Sequence, residues 1–265
     1  MIHYISADRL TIARVEEILT KGYKLALSDD AKRRINHCRE YLDQKTKTVG
    51  RPIYGVTTGF GSLCNISVEE EGLSQLQKNL MMSHACGTGQ RVPSEIARLM
   101  ILLKVQSLSY GHSGVQLITV ERLIEMFNNN IIPVVYEQGS LGASGDLSPL
   151  AHMCLPLLGL GHVEIDGEVV EGSVMMEKMG WEPITLCSKE GLALLNGTQF
   201  MSAYGFKVER DDNSFFITSG LLKKKQYVFD KNREDINSLR DVLNNNTLVI
   251  QRLVDFLKSE DDEDE

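Results

Sequence analysis

The stretch Gly139-Ser-Leu-Gly-Ala-Ser-Gly-Asp-Leu-Ser-Pro-Leu-Ala-His152 constrains this chain more than any other. Three glycines and two alanines crowd around Ser144, Asp146 follows, and an apolar run from Met153 to Leu160 comes next. Small residues at this density let backbone segments approach closely, and glycine reaches dihedral angles that other residues avoid. Two readings are open. One is a tight turn feeding a helix, with Asp146 or Ser148 near the helix N-terminus. The other is a segment that reacts with itself. In a tight bend the Gly145 amide nitrogen attacks the Ala143 carbonyl, and loss of water closes a five-membered ring. Loss of a second water from Ser144 leaves an exocyclic methylene. That product is an electrophile, a class of group the twenty side chains lack.

Composition narrows the classes. The 265 residues are 42% hydrophobic, enough for one large domain or two small ones. The cysteines at 38, 64, 86, 154 and 187 are scattered, odd in number and without CxxC spacing. That pattern predicts reduced thiols in a cytoplasmic protein rather than a disulfide framework or a zinc ribbon. The start, Met1-Ile-His-Tyr-Ile-Ser-Ala-Asp8, has neither the basic nor the long apolar region of a signal peptide. No apolar run reaches the ~20 residues that span a bilayer, so no membrane partner is expected. The formal charge is −8, and Glu260 to Glu265 contribute six of those negatives. The remaining body is nearly balanced, which predicts no nucleic-acid partner.

The first half reads as helices. Ser6-Ala-Asp8 precedes apolar positions from Leu10 to Leu19, with Gly22 as stop, and Ser28-Asp-Asp30 opens a second helix. Ser67-Val-Glu-Glu70 matches a capping box for a helix ending in Ser83-His84. Pro93 opens a strongly apolar helix to about Tyr110, and another covers about Val115 to Phe127. Leu147 to Leu158 reads as a buried helix, and Gly161 to Val170 as a short hairpin around Asp166-Gly167. Gly191 to Tyr204 is helical with a glycine interruption, Asn196 serving as cap or turn residue.

Gly50-Arg-Pro-Ile-Tyr-Gly-Val-Thr-Thr-Gly-Phe-Gly61 breaks every period. It lacks the ending of a Walker loop and does not match GxGxxG, so no nucleotide is expected. A metal reading of His84-x-Cys86 with His152-x-Cys154 lacks further ligands, and none is expected. A hydrolase with Ser144 as nucleophile and His152 and Asp146 as partners is the enzymatic alternative. Gly142-Ala-Ser-Gly145 is not the GxSxG elbow, and no run of βα units surrounds it.

Four segments together carry a resemblance. Gly139–His152 resembles the signature of the aromatic amino acid ammonia-lyases, whose methylidene-imidazolone prosthetic group forms from Ala-Ser-Gly. Tyr54-Gly-Val-Thr-Thr-Gly-Phe-Gly61, Ser83-His84 and Leu194-Leu-Asn-Gly-Thr-Gln199 are similar to three further motifs, in family order. The resemblance implies a mainly α chain, the N-terminal part of the fumarase/aspartase-like helical fold, with small β-hairpins. It implies a prosthetic ring built from Ala143, Ser144 and Gly145, with Asp146 assisting its formation. Tyr54 takes the place of the catalytic tyrosine, and Asn196 that of the asparagine beside the ring. Ser83 and His84 line the substrate pocket in the manner of the histidine-specific members. The implied reaction is non-oxidative deamination of L-histidine to urocanate and ammonia, with tyrosine or phenylalanine as alternative substrates. The family assembles as homotetramers, with active sites shared between subunits.

The resemblance ends near Gly205, so the expected division is 1–205 and a tail, 206–265. In the tail, Ser214 to Ser219 reads as a strand. Ile236, Leu239, Leu243, Asn246, Ile250, Leu253 and Leu257 recur at spacings of 3 and 4. That pattern predicts an amphipathic helix near 233–258, packing on its own domain or self-associating, before the acidic end 260–265. A chain lacking the family's second half admits one more reading, a catalytically dead remnant acting by association.

Overall fold

The computed structural model describes residues 1–48, 52–59, 66–140 and 146–206, and the strands 209–211, 214–217 and 227–230 by their backbone. The chain divides into two units, Met1–Phe206 and Lys207–Glu265.

The first unit opens with strand β1 (Ile2–Ile5), helix α1 (Ile12–Thr20) and strand β2 (Lys24–Leu27). The strands pair in parallel, Ile2 opposite Lys24 through Ile5 opposite Leu27. An all-helical start is therefore corrected. Four-residue strands are too short for a period-2 pattern to stand out beside a helix. The edge of β2 is closed by a side chain: Asn128 accepts from the Leu25 amide at 2.7 Å and donates to its carbonyl at 2.9 Å. Thr11, rather than Ser6 or Asp8, caps α1 by accepting from the Arg14 amide at 3.2 Å.

Helix α2 (Asp29–Thr48) begins with Asp29 and Asp30 and ends with Lys45 and Lys47, each charge suiting its end of the helix dipole. Ser28 caps it through the Ala31 amide. Helix α3 (Glu70–His84) departs from expectation. Its N-cap is Glu69 with no side-chain cap, while Ser67 bridges to Thr58 across the preceding loop. The capping-box spelling is present, but Ser67 is held by that bridge. After strand β3 (Thr88–Arg91) comes helix α4 (Ser94–Ser109), with 11 of its 16 residues buried, and then α5 (Leu117–Asn128). α4 packs against α2, α5, β1 and the later α9, so it is the axis of the core. Met100, Ile101, Leu102, Leu123 and Phe127 are fully enclosed there.

Strands β4 (Ile132–Pro133) and β5 (Tyr136–Gln138) lead to helix α6 (Ser148–Cys154), which tightens into a 3-10 turn over Leu155–Leu158. β6 (His162–Ile165) and β7 (Glu168–Glu171) form the expected hairpin, with Asp166 and Gly167 both at positive φ as a type I′ turn demands. Helix α7 (Gly172–Met179) follows, then α8 (Glu190–Leu195) and α9 (Gln199–Phe206). Two buried charges set α8. Glu190 accepts from the Gln116 and Cys187 amides and the Thr119 hydroxyl, and Arg39 grips the Gly114 and Ser188 carbonyls. The mainly helical expectation holds for this unit.

In the second unit, β8 (Glu209–Asp211), β9 (Ser214–Ile217) and β10 (Tyr227–Asp230) form an antiparallel sheet in the order 10-9-8. The helix expected near 233–258 and the acidic end 260–265 lie outside the described residues.

Candidate active site

The segment 141–145, with Ala143, Ser144 and Gly145, lies outside the described residues; its neck does not. Asp146 Oδ1 accepts hydrogen bonds from the Ser140 amide at 2.8 Å and the Ser148 amide at 3.1 Å. One carboxylate oxygen thus ties the residue before the segment to the start of α6. A β-carbon on Gly139 would land on the Asp146 carboxylate, so glycine there is a requirement of space. Asp146 also supplies the cap that α6 otherwise lacks.

The end of α3 lies against this neck. Thr88 pairs with Gln138, and Gly87 donates its amide to His152 Nε2 at 2.9 Å. An added carbon at Gly87 would press at 3.0 Å on both the His152 ring and Ser148 Oγ. His152 stacks edge-on to Tyr136 at 5.1 Å, and burial pushes its pKa down against the opposing pull of Asp146. It is a neutral ring whose acceptor nitrogen is taken. Just upstream, His84 Nδ1 lies 2.9 Å from the Leu80 carbonyl, which can only accept. Nδ1 therefore carries the proton and Nε2 is left for a ligand. Ser83 Oγ donates to the same carbonyl at 3.1 Å. Ser83 is exposed and His84 half-buried.

Asn196 enters from α8, which packs on α3 and α6. It is the C-cap of α8, and its side chain is exposed. The Gln77 side chain holds the Gly191 amide at 2.9 Å, and the Lys104 ammonium reaches the Asn196 carbonyl at 3.1 Å. Tyr54 stands on the 52–59 loop, 61% exposed. That loop is knotted by Thr57 Oγ1, which accepts from the Ile53 amide at 2.9 Å, and by Thr58 Oγ1, which accepts from the Gly55 amide at 3.3 Å. The β3–β5 pairing and the Gly87–His152 hydrogen bond thus join the chain just after Ser83 and His84 to the segments on either side of Asp146, and α8, which ends at Asn196, packs on α3 and α6.

These residues fit a backbone-derived ring. The Asp146 carboxylate gathers the Ser140 and Ser148 amides on one oxygen, and Ser148 Oγ beside it is buried with no partner among the described residues. For the hydrolase reading, His152 Nε2 is already engaged as acceptor of the Gly87 amide. Among the described residues no three His, Cys, Asp or Glu side chains gather to hold a metal, and no helix is long and apolar enough to cross a membrane. Reading the sequence alone passed over Lys104. Its signal was a charge directly after the apolar run Leu99–Leu103.

Comparison with known proteins places the chain by family and fold. The family model for aromatic amino acid lyases matches residues 10–218. Histidine ammonia-lyase of Caldanaerobacter subterraneus subsp. tengcongensis is 49% identical over 201 residues, covering 76% of this chain and 39% of that protein. The structure of histidine ammonia-lyase from Trypanosoma cruzi matches with a TM-score of 0.71 at 36% identity, over 78% of this chain and 40% of the other. Tyrosine aminomutase from Streptomyces globisporus matches at 0.72 and 34%, over 78% and 39%. The chain spans about two fifths of the length of the curated relatives it matches. On the strength of a match across most of its length, carried on the same helical fold, the chain belongs to the aromatic amino acid lyase family.

Proposed function

We propose that this chain carries the prosthetic-group half of a histidine ammonia-lyase active site, acting on L-histidine to give urocanate and ammonia. The observation that carries the reading is the Asp146 clamp on the neck of segment 141–145, set beside the end of α3 that bears Ser83 and His84. Identity supports the substrate: three curated relatives named histidine ammonia-lyase are 49%, 45% and 45% identical to this chain.

Each residue has a task. Asp146 holds the two ends of the segment together, which lowers the entropy cost of bringing Gly145 N to the Ala143 carbonyl. The methylidene-imidazolone from Ala143-Ser144-Gly145, once formed, supplies an electron sink that makes the amine a better leaving group. His84, its proton fixed on Nδ1, offers Nε2 to the substrate, and Ser83 flanks it. Asn196 supports the ring from the end of α8. Tyr54 removes the β-proton. A tyrosine base needs a shielded, positive environment, so further protein over the exposed 52–59 loop belongs to the proposal. A homo-oligomer, a tetramer as the sequence resemblance implies, is the natural source. The described cysteines 38, 86, 154 and 187 are free thiols, which suits a cytoplasmic setting.

Intact mass of the 265-residue chain tests the ring, which removes two water molecules from the encoded mass. Incubation with L-histidine, L-tyrosine and L-phenylalanine in parallel tests turnover, read as the rise of the unsaturated acid's absorbance. Turnover of histidine alone is expected. An unmodified mass sinks the ring. A ring without turnover at high protein concentration favours the second reading, an association remnant.

A further inference from the structure

Lys104 is buried in the middle of α4, 1% exposed, and is the largest of the fully enclosed side chains. Its ammonium makes one hydrogen bond, to the Asn196 carbonyl at 3.1 Å, and among the described residues no carboxylate pairs with it. The titratable groups facing it are Cys154 on α6 and Lys189 ahead of α8. The first is a thiol that burial pushes up to about 12, and the second is another cation. A desolvated charge with this little compensation costs the fold, and an apolar side chain of similar volume is commonly neutral or better in such a place. Packing therefore does not call for an ammonium here. The corner it touches does. Asn196 ends α8, α9 begins at Gln199, and the carbonyl between them has no place in either helix's ladder. The remaining bonds of the corner, Asn196 N to Leu192 O and Ser202 N to Thr198 O, are local to one helix each. Lys104 ties it to the core axis instead, by a charge-assisted donor that reaches across from α4.

We propose that Lys104 is a positioning residue for the active site, holding the α8–α9 corner through the Asn196 carbonyl so that Asn196 is kept in place for segment 143–145. This rests on the role given to Asn196 above. Its benefit belongs to ring formation and to the geometry of Asn196, at a cost to the stability of the fold.

The test compares the full chain with Lys104→Met and Lys104→Arg by three readings: intact mass, thermal melting, and the backbone and side-chain amide resonances of Asn196 in asparagine-labelled protein. Lys104→Met is expected to melt at or above the original chain, to lose about tenfold or more of the dehydrated fraction, and to shift or broaden the Asn196 resonances. Lys104→Arg, which keeps the charged donor, is expected to recover most of the ring and the original resonances. A Lys104→Met chain with the original dehydrated fraction and unmoved Asn196 resonances overturns the proposal. So does one that melts far below the original, which marks Lys104 as structural. If the original chain shows no dehydration, the ring reading has failed. The Asn196 resonances then decide this proposal alone: moved in Lys104→Met and restored in Lys104→Arg supports it, unmoved overturns it.

Discussion

The α4–α5 axis and the neck of segment 141–145 are built by opposite rules. Along α4 and α5 most of the buried positions are filled by Leu, Ile, Met, Val and Phe, each replaceable in kind by another apolar group of similar size. At the neck, specific atoms matter: one carboxylate oxygen of Asp146, one nitrogen of His152, the absent β-carbons of Gly87 and Gly139. The core tolerates exchange and punishes deletion, whereas the neck punishes exchange. Lys104 belongs to the core by location and to the neck by behaviour.

Four predictions would sharpen or break this contrast. The largest is in the core. Phe127→Ala, at 0% exposure, should cost about 3–5 kcal/mol in chemical denaturation, and Leu102→Met under about 1.5. Equal losses would dissolve the distinction. Next comes Lys104, whose pKa burial lowers from 10.5 to about 8. A lowered folded value means the unfolded chain binds the proton more tightly between those two pH values. Stability should therefore rise with pH across that window, by about 3 kcal/mol in all, with the full deficit present below it. The Cys154 thiol acts in the opposite sense as its proton is lost between 9 and about 12, but it is common to both chains. The lead of Lys104→Met over the original in thermal melts should thus shrink from pH 8 to 10.5, and a constant gap would contradict the burial.

At the neck, Asp146→Ala should cost only about 1–2 kcal/mol of stability while abolishing the two-water loss in intact mass. A ring formed at the original level would remove Asp146 from the proposal. Smallest is Ser83→Ala, an exposed hydroxyl on a carbonyl His84 already serves. Its melting should move by no more than about 0.5 kcal/mol. A larger effect confined to the Michaelis constant for histidine would tie it to the pocket.

Much of the fold was legible. Helices α2, α4 and α5 and the β6–β7 hairpin announced themselves through period, cap and turn residues, because those signals act over a few neighbouring residues. The β1–β2 pair did not, since its partner residues are separated by α1 and each strand is four residues long. Ser67 spelled a capping box, yet a bridge to Thr58 decided its place. Candidate site residues were named one motif at a time, and each motif states only what sits beside it in the chain. That Gly87 spends its amide on His152 involves 65 residues of separation, and no local pattern encodes it.

The sequence by itself determined the family-like motifs, the helical class and the residues able to form an electrophile from backbone, because composition and spacing are local properties. Tertiary structure alone decided which nitrogen of His152 is occupied, which nitrogen of His84 faces the Leu80 carbonyl and what Lys104 touches. Those depend on groups brought together by packing of α3, α4, α6 and α8, where desolvation and single hydrogen bonds set the chemistry of each side chain.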